Sequence, residues 1–143
     1  MTAALLLGLF FTVALLAITA YFIMGSLPLL ILKHDTPLDS RFVRGFFNTY
    51  YLAAMCAAGA AAVSYALAGR PVFAAGAAVV ALSATALRRV VIPRMDSLRA
   101  QMLFSETSAI PGFRRMHVIA ISANFVQLVV TVGSLVALSI QMK

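Results

Sequence analysis

Four long apolar stretches, separated by short segments in which the charges collect, make up most of this chain. They cover about residues 3–24, 46–68, 72–92 and 113–140. Each is close to the ~20 apolar residues that a helix needs to cross a bilayer. The first stretch stays apolar to Leu32, past Gly25, Ser26 and Pro28. That predicts a helix to about Met24, a bend, and residues 27–32 near the membrane interface. Polar positions within the stretches recur at helical spacing. Thr12, Thr19 and Ser26 are seven apart, as are His117, Asn124 and Thr131; Gln127, Ser134 and Gln141 make a second such row. At 3.6 residues per turn, the two rows in the last stretch lie side by side and form one polar stripe on an apolar helix. Such a stripe is costly against lipid. It predicts cover from other helices, a bound ligand or trapped water.

The second stretch opens with Phe46, Phe47, Tyr50 and Tyr51, which read as an interfacial aromatic belt. It then turns small. Ala54, Ala58 and Ala62 are four apart, and so are Met55, Gly59 and Val63. This small-xxx-small pattern predicts close packing of the second and third helices through Ala54, Ala58, Gly59 and Ala62. Gly69, Arg70 and Pro71 form a short turn in which glycine ends one helix and proline starts the next. In the first loop, Asp39 or Ser40 is placed to cap the second helix. After the third stretch, Met95, Leu98 and Met102 repeat at three and four. They predict a short amphipathic helix beginning at Pro93 and lying on the interface. The fold class that follows is all-α: one integral membrane domain over residues 1–143. It is an up-down bundle of four transmembrane helices with a short interfacial helix between the third and fourth.

Composition supports this reading. The chain is 63% hydrophobic and 10% charged, with a mean hydropathy of +1.02, which excludes an ordinary soluble domain. A net charge of +7 and a pI near 10.6 would point a soluble protein toward nucleic acid. Here the basic residues flank apolar spans, so the expected partner is the bilayer with its anionic headgroups, and not nucleic acid. Lys33, Arg41, Arg44, Arg88, Arg89, Arg94, Arg99, Arg114 and Arg115 fall on one side, and Arg70 and Lys143 on the other. The positive-inside rule then makes both longer loops cytoplasmic and puts both termini on the opposite side. The N-terminus has no basic region before its apolar run and reads as a retained helix. The one cysteine, Cys56, allows no internal disulfide and reads as a small packing residue.

The candidate ligand-binding residues are His117, Asn124, Gln127 and Thr131 on the stripe, with Arg94 and Arg99 from the basic cluster. The stripe serves either as a polar cavity or as a hydrogen-bonded seam between helices. His117 is expected to bond to a group in the segment 94–99, and Asp96 to pair with Arg99 at i, i+3. His34, His117 and Met116 are the candidates for a soft metal ion or haem at the basic rim. Their spacing demands neither, and no cofactor is expected. Phosphate loops, HExxH and nucleophile elbows are missing from the sequence, and no Asp or Glu lies within a span. These residues indicate a membrane protein without catalytic machinery: a scaffold, an accessory subunit of a larger complex, or a homo-oligomer. The alternatives are small-molecule or metal binding or transport along the stripe, and an oxygenase-like membrane enzyme.

Several segments together resemble a known family. They are MGSLPLLILK ending the first span, RFVRGFFNTYYLAAMCAAG opening the second, VVIPRMDSLRAQ after the third and FRRMHVIAISANFVQLV opening the fourth. The chain is similar in these to the small four-helix membrane family that includes transmembrane protein 205 and its bacterial relatives (domain of unknown function 4149). The matching positions are Pro93, Arg94, Arg99, Phe113, Arg114, His117 and Asn124. The resemblance implies four spans, a bacterial inner membrane as the location, and attention to His117, Asn124 and Arg94. A weaker likeness, to the anthrone-oxygenase-like four-helix proteins, rests on the proline after the third span and the histidine of the fourth. It departs at the missing Trp before His117 and at Met95 and Asp96.

Overall fold

The computed structural model describes residues 2–31, 36–104 and 108–141. Nearly all of them are helical: α1 (Ala3–Ile31), α2 (Pro37–Leu67), α3 (Pro71–Leu103) and α4 (Ala109–Gln141). All four are long and apolar enough to cross a membrane. Helices of 29 to 33 residues are roughly 43–50 Å long at 1.5 Å per residue. That exceeds the ~30 Å of a hydrocarbon core, so their ends reach past it and carry the charges.

The helices outrun their sequence-predicted limits, most clearly at two prolines. Pro28 lies inside α1 and Pro93 inside α3. The bend expected after Met24 is continuous helix to Ile31, and the separate interfacial helix expected from Pro93 is the last part of α3. A mid-helix proline removes one backbone bond and costs about 3 kcal/mol. Breaking the helix strands several backbone groups at several kcal/mol each where water is excluded. Continuing is the smaller loss. Packing holds both segments in place: Ser26 beyond the expected bend is fully buried, as is Met95 beyond Pro93.

The helix ends follow local rules. Thr36 caps α2, its hydroxyl accepting from the Asp39 amide at 3.2 Å, with Pro37 in the first turn. The cap thus lies at Thr36, three residues before Asp39, and not at Asp39 or Ser40. At the other end of α2, Gly69 has φ +68°, the left-handed conformation that glycine adopts without penalty. The Arg70 amide donates to the Tyr65 carbonyl at 2.9 Å and the Gly69 amide to that of Ala66 at 3.1 Å. This pair of bonds is the Schellman arrangement. Pro71 then opens α3.

Each helix packs on its chain neighbours, and α4 closes against α1. The antiparallel order is visible in cross-contacts. Thr12 near the start of α1 meets Tyr65 near the end of α2, while Thr19 meets Tyr50. Arg44 early in α2 pairs with Asp96 late in α3, through Nε at 2.9 Å and a second nitrogen at 2.8 Å. Asp96 therefore bonds across helices to Arg44, in place of the local Arg99 pairing expected. Arg88 donates to Asn48 at 3.0 Å between the same two helices. Phe22 of α1 lies between the stacked rings of Phe46 and Tyr50, with Phe47 edge-on at 4.7 Å between centroids. Each such pair adds about 0.5–1.5 kcal/mol beyond burial.

The close-packed small face differs from the one predicted. Ala54, Ala57, Ala58 and Ala61 are buried, but Gly59 has nothing within 4 Å of where a Cβ would stand. Ala62 is half-buried and Cys56 exposed, so neither is the tight packing residue expected. The tightest of the glycines is Gly8 of α1, where a Cβ would meet the Tyr65 ring at 2.7 Å. Tyr65 is held there by its bond to Thr12. Gly8→Ala should therefore lower stability by about 1–3 kcal/mol, as overpacking does, while Gly59→Ala leaves it unchanged or slightly higher. Unfolding of both variants in mixed micelles checks this; equal stability of the two would contradict the packing described.

Candidate functional site

The polar stripe of α4 faces the bundle centre. His117 and Asn124 are fully buried, and Gln127 and Thr131 nearly so. Most of the apolar positions between them face outward: Val118, Ile119, Phe125, Val126, Val129 and Val130 are exposed, while Ala120 and Ile121 are buried. The side chains that cover the stripe come largely from α2, the helix diagonally opposite. Phe47 meets the His117 ring edge-to-face at 5.1 Å. Gln127 Nε2 donates to the Tyr50 hydroxyl at 3.2 Å. Tyr51 lies within interaction range of Asn124.

Phe47, Tyr50 and Tyr51, which the sequence pattern places in an interfacial belt, lie elsewhere in the structure. They are core residues, each 4% exposed or less. The signal that marks them is spacing: with Ala54 and Ala58 they form one helical face at steps of three and four.

The hydrogen bonds have a direction. Thr19 donates its hydroxyl proton to the Leu15 carbonyl at 2.8 Å. Its oxygen is then free only to accept, so Tyr50 is the donor across the 3.4 Å between their hydroxyls. Tyr50 accepts in turn from Gln127. One chain of bonds thus runs from α4 through α2 to the backbone of α1. A parallel chain follows nearer the start of α1. Thr12 donates to the Gly8 carbonyl at 2.8 Å and accepts from Tyr65 at 2.9 Å. Thr131 donates to its own Gln127 carbonyl at 2.8 Å.

Among the described residues, several polar groups of this core stay unmatched. The Tyr51 hydroxyl and both polar atoms of the Asn124 amide are buried close to each other, and among the described residues none of them makes a hydrogen bond of good geometry. An amide offers two donors and an acceptor, and a phenol one donor and an acceptor. A single bond between the two, which a small shift would make, leaves the rest unmet. Each buried unmet group costs about 1–3 kcal/mol. Ser26, on the same face of α1 as Thr12 and Thr19, is also buried without a hydrogen bond.

Two cavities meet the stripe. A small one of about 30 Å³ touches Thr12, Tyr65, Thr131 and Ser134, about the space of one water molecule. A larger one of about 660 Å³ lies between α3 and α4 and reaches Gln127. The candidates at the basic end differ in burial. Arg94 is exposed and Met116 half-buried, while Arg99 is half-buried with its Nε enclosed and without a hydrogen bond. The His117 ring meets Phe47 edge-on. His34 falls outside the described residues. Among the described residues, no group of three or more His, Cys, Asp or Glu side chains could hold a metal ion.

The Tyr50 hydroxyl joins three helices, which makes a test. Tyr50→Phe removes two interhelical bonds and should lower stability by about 1–2 kcal/mol. Tyr21→Phe changes an exposed phenol and should leave it unaltered. Unfolding in mixed micelles measures both.

Comparison of the chain with protein-family models, with curated proteins and with solved structures finds no match.

Proposed function

We propose that this chain is an integral membrane protein that holds a small uncharged molecule in its polar core, at Tyr51 and Asn124. The observation that carries the reading is a pair of fully buried side chains, within bonding range of each other, whose hydroxyl and amide keep donors and acceptors that no other described residue meets. A purely structural seam gains nothing from such groups: Phe and Leu of similar volume would fill the same space without the desolvation cost. A ligand with its own donors and acceptors makes use of them. The surrounding groups, amides, hydroxyls, phenols and one imidazole, bind by hydrogen bonding rather than charge. A binding or transport protein fits this core better than a scaffold. Membership of the transmembrane protein 205 family is part of the proposal, supported by the segments around Pro93, His117 and Asn124. The nine-to-two division of basic residues supports cytoplasmic loops at the basic end and both termini outside.

The double change Tyr51→Phe with Asn124→Leu separates ligand site from seam. In purified, ligand-stripped protein it should leave the melting temperature unchanged or raise it, because buried unmet groups are removed. A clear fall would mean that the pair stabilises the fold by bonding to each other, and would end the ligand reading. Orientation has its own test. Thr2→Cys and Met142→Cys, each in a Cys56→Ala background, should react with an impermeant thiol reagent in intact cells. Labelling only after the cytoplasm is opened would reverse the topology.

A further inference from the structure

We propose that the groove between α3 and α4 binds a membrane-soluble molecule with an apolar body and a hydroxyl head, and that Gln127 takes the head. This rests on the reading of the polar core as a ligand site, and adds the ligand's chemistry and its route.

The groove is open along its outer side and offers about 660 Å³, room enough for the body of a small molecule. It exists because Ser83, Ala86 and Ala123 line it, where larger side chains would close the gap. Its rim is made by Val79, Val90, Val126 and Val130, all strongly exposed. On a helix bundle long enough to cross a membrane, that rim opens sideways to acyl chains and not to water.

Aliphatic residues make up the rest of the lining apart from Ser83 and Gln127. Acyl chains alone would be matched by aliphatic side chains throughout, because an amide in hydrocarbon is costly unless something bonds to it. Gln127 is 7% exposed and so sits at the floor of the groove. Its Nε2 is committed to Tyr50, which fixes the plane of the amide. What remains is a second N–H and the carbonyl oxygen, a donor and an acceptor. A hydroxyl answers both. A ketone or ester carbonyl would leave the Gln127 oxygen unmet, and a charged head would enter an apolar groove without a counter-charge. Long-chain alcohols, phenols and sterol-like molecules have this chemistry. Asn124 lies three residues from Gln127 on the same helix, and its buried amide is the next polar group inward.

The test uses a long-chain alcohol carrying a mid-chain diazirine, with its methyl ether as the control. Purified protein in phosphatidylcholine nanodiscs is irradiated with each, and adducts are mapped by peptide mass spectrometry. The alcohol should label residues 79–90 and 123–130 about fivefold more than the ether does, as one hydrogen bond of about 1 kcal/mol would give. Gln127→Leu should erase that difference. Ala86→Phe with Ala123→Phe should remove the groove adducts; its melting curve reports whether it is folded, and Gln127→Leu decides the question if it is not. Equal labelling by alcohol and ether would overturn the proposal. So would adducts spread evenly over exposed α1 residues such as Phe10 and Tyr21, or a cross-linked dimer joined through residues 79–90. The melting behaviour of Tyr51→Phe with Asn124→Leu, measured without probe, reads the core separately, so failure of the core reading is distinguishable from failure of this one.

Discussion

Everything in this bundle is arranged around the need to keep the amides of α4 away from hydrocarbon. Asn124 and Gln127 sit on a helix whose other faces are valine, leucine, isoleucine and phenylalanine. An amide facing lipid would lack partners, so α4 turns its stripe inward. Once it does, something must reach across the bundle to meet it. Phe47, Tyr50 and Tyr51 of α2 are long enough to do so from the diagonal position. Through Tyr50 the bond passes on to Thr19 and ends on a backbone carbonyl of α1. Three helices are thereby set in register by hydroxyls that can each donate in only one direction.

The same constraint explains why the seams differ. The α1–α2 seam is tight because Gly8 and Gly25 let tyrosine and phenylalanine rings lie against the α1 backbone. Between α2 and α3, alanines and the bonds Arg44–Asp96 and Arg88–Asn48 do the fastening. The α3–α4 seam closes at one end, where Leu98 lies against Gly112. Further along, small side chains on both helices leave the groove that ends at Gln127. A bundle needs tight seams for stability and can leave one loose. The loose one here leads to the polar centre.

The prolines show which energy wins when local and global preferences disagree. Pro28 and Pro93 each oppose helix locally, yet α1 and α3 pass through both. Backbone bonding over the remaining turns, together with burial of Ser26 and Met95, outweighs one missing bond at each site.

Much of this architecture is legible in the order of residues, because the signals are local. Four apolar stretches require four long helices, Gly69 followed by Pro71 requires a turn, and the seven-residue spacing of His117, Asn124 and Thr131 defines one face of α4. What the stripe would meet was not legible. A tyrosine near a helix end has the same composition in an interfacial belt as in a core, and only the diagonal placement of α2 decided between them. Gly59 and Gly8 look alike in a list of small residues; the tertiary fold set Tyr65 against one and open space against the other. Asp96 has Arg99 nearby in sequence, but the antiparallel crossing of α2 and α3 brought Arg44 within 2.8 Å instead. Spacing along one helix determines which residues share a face. Which residues oppose that face depends on how four helices cross, and that is a property of the packed chain as a whole.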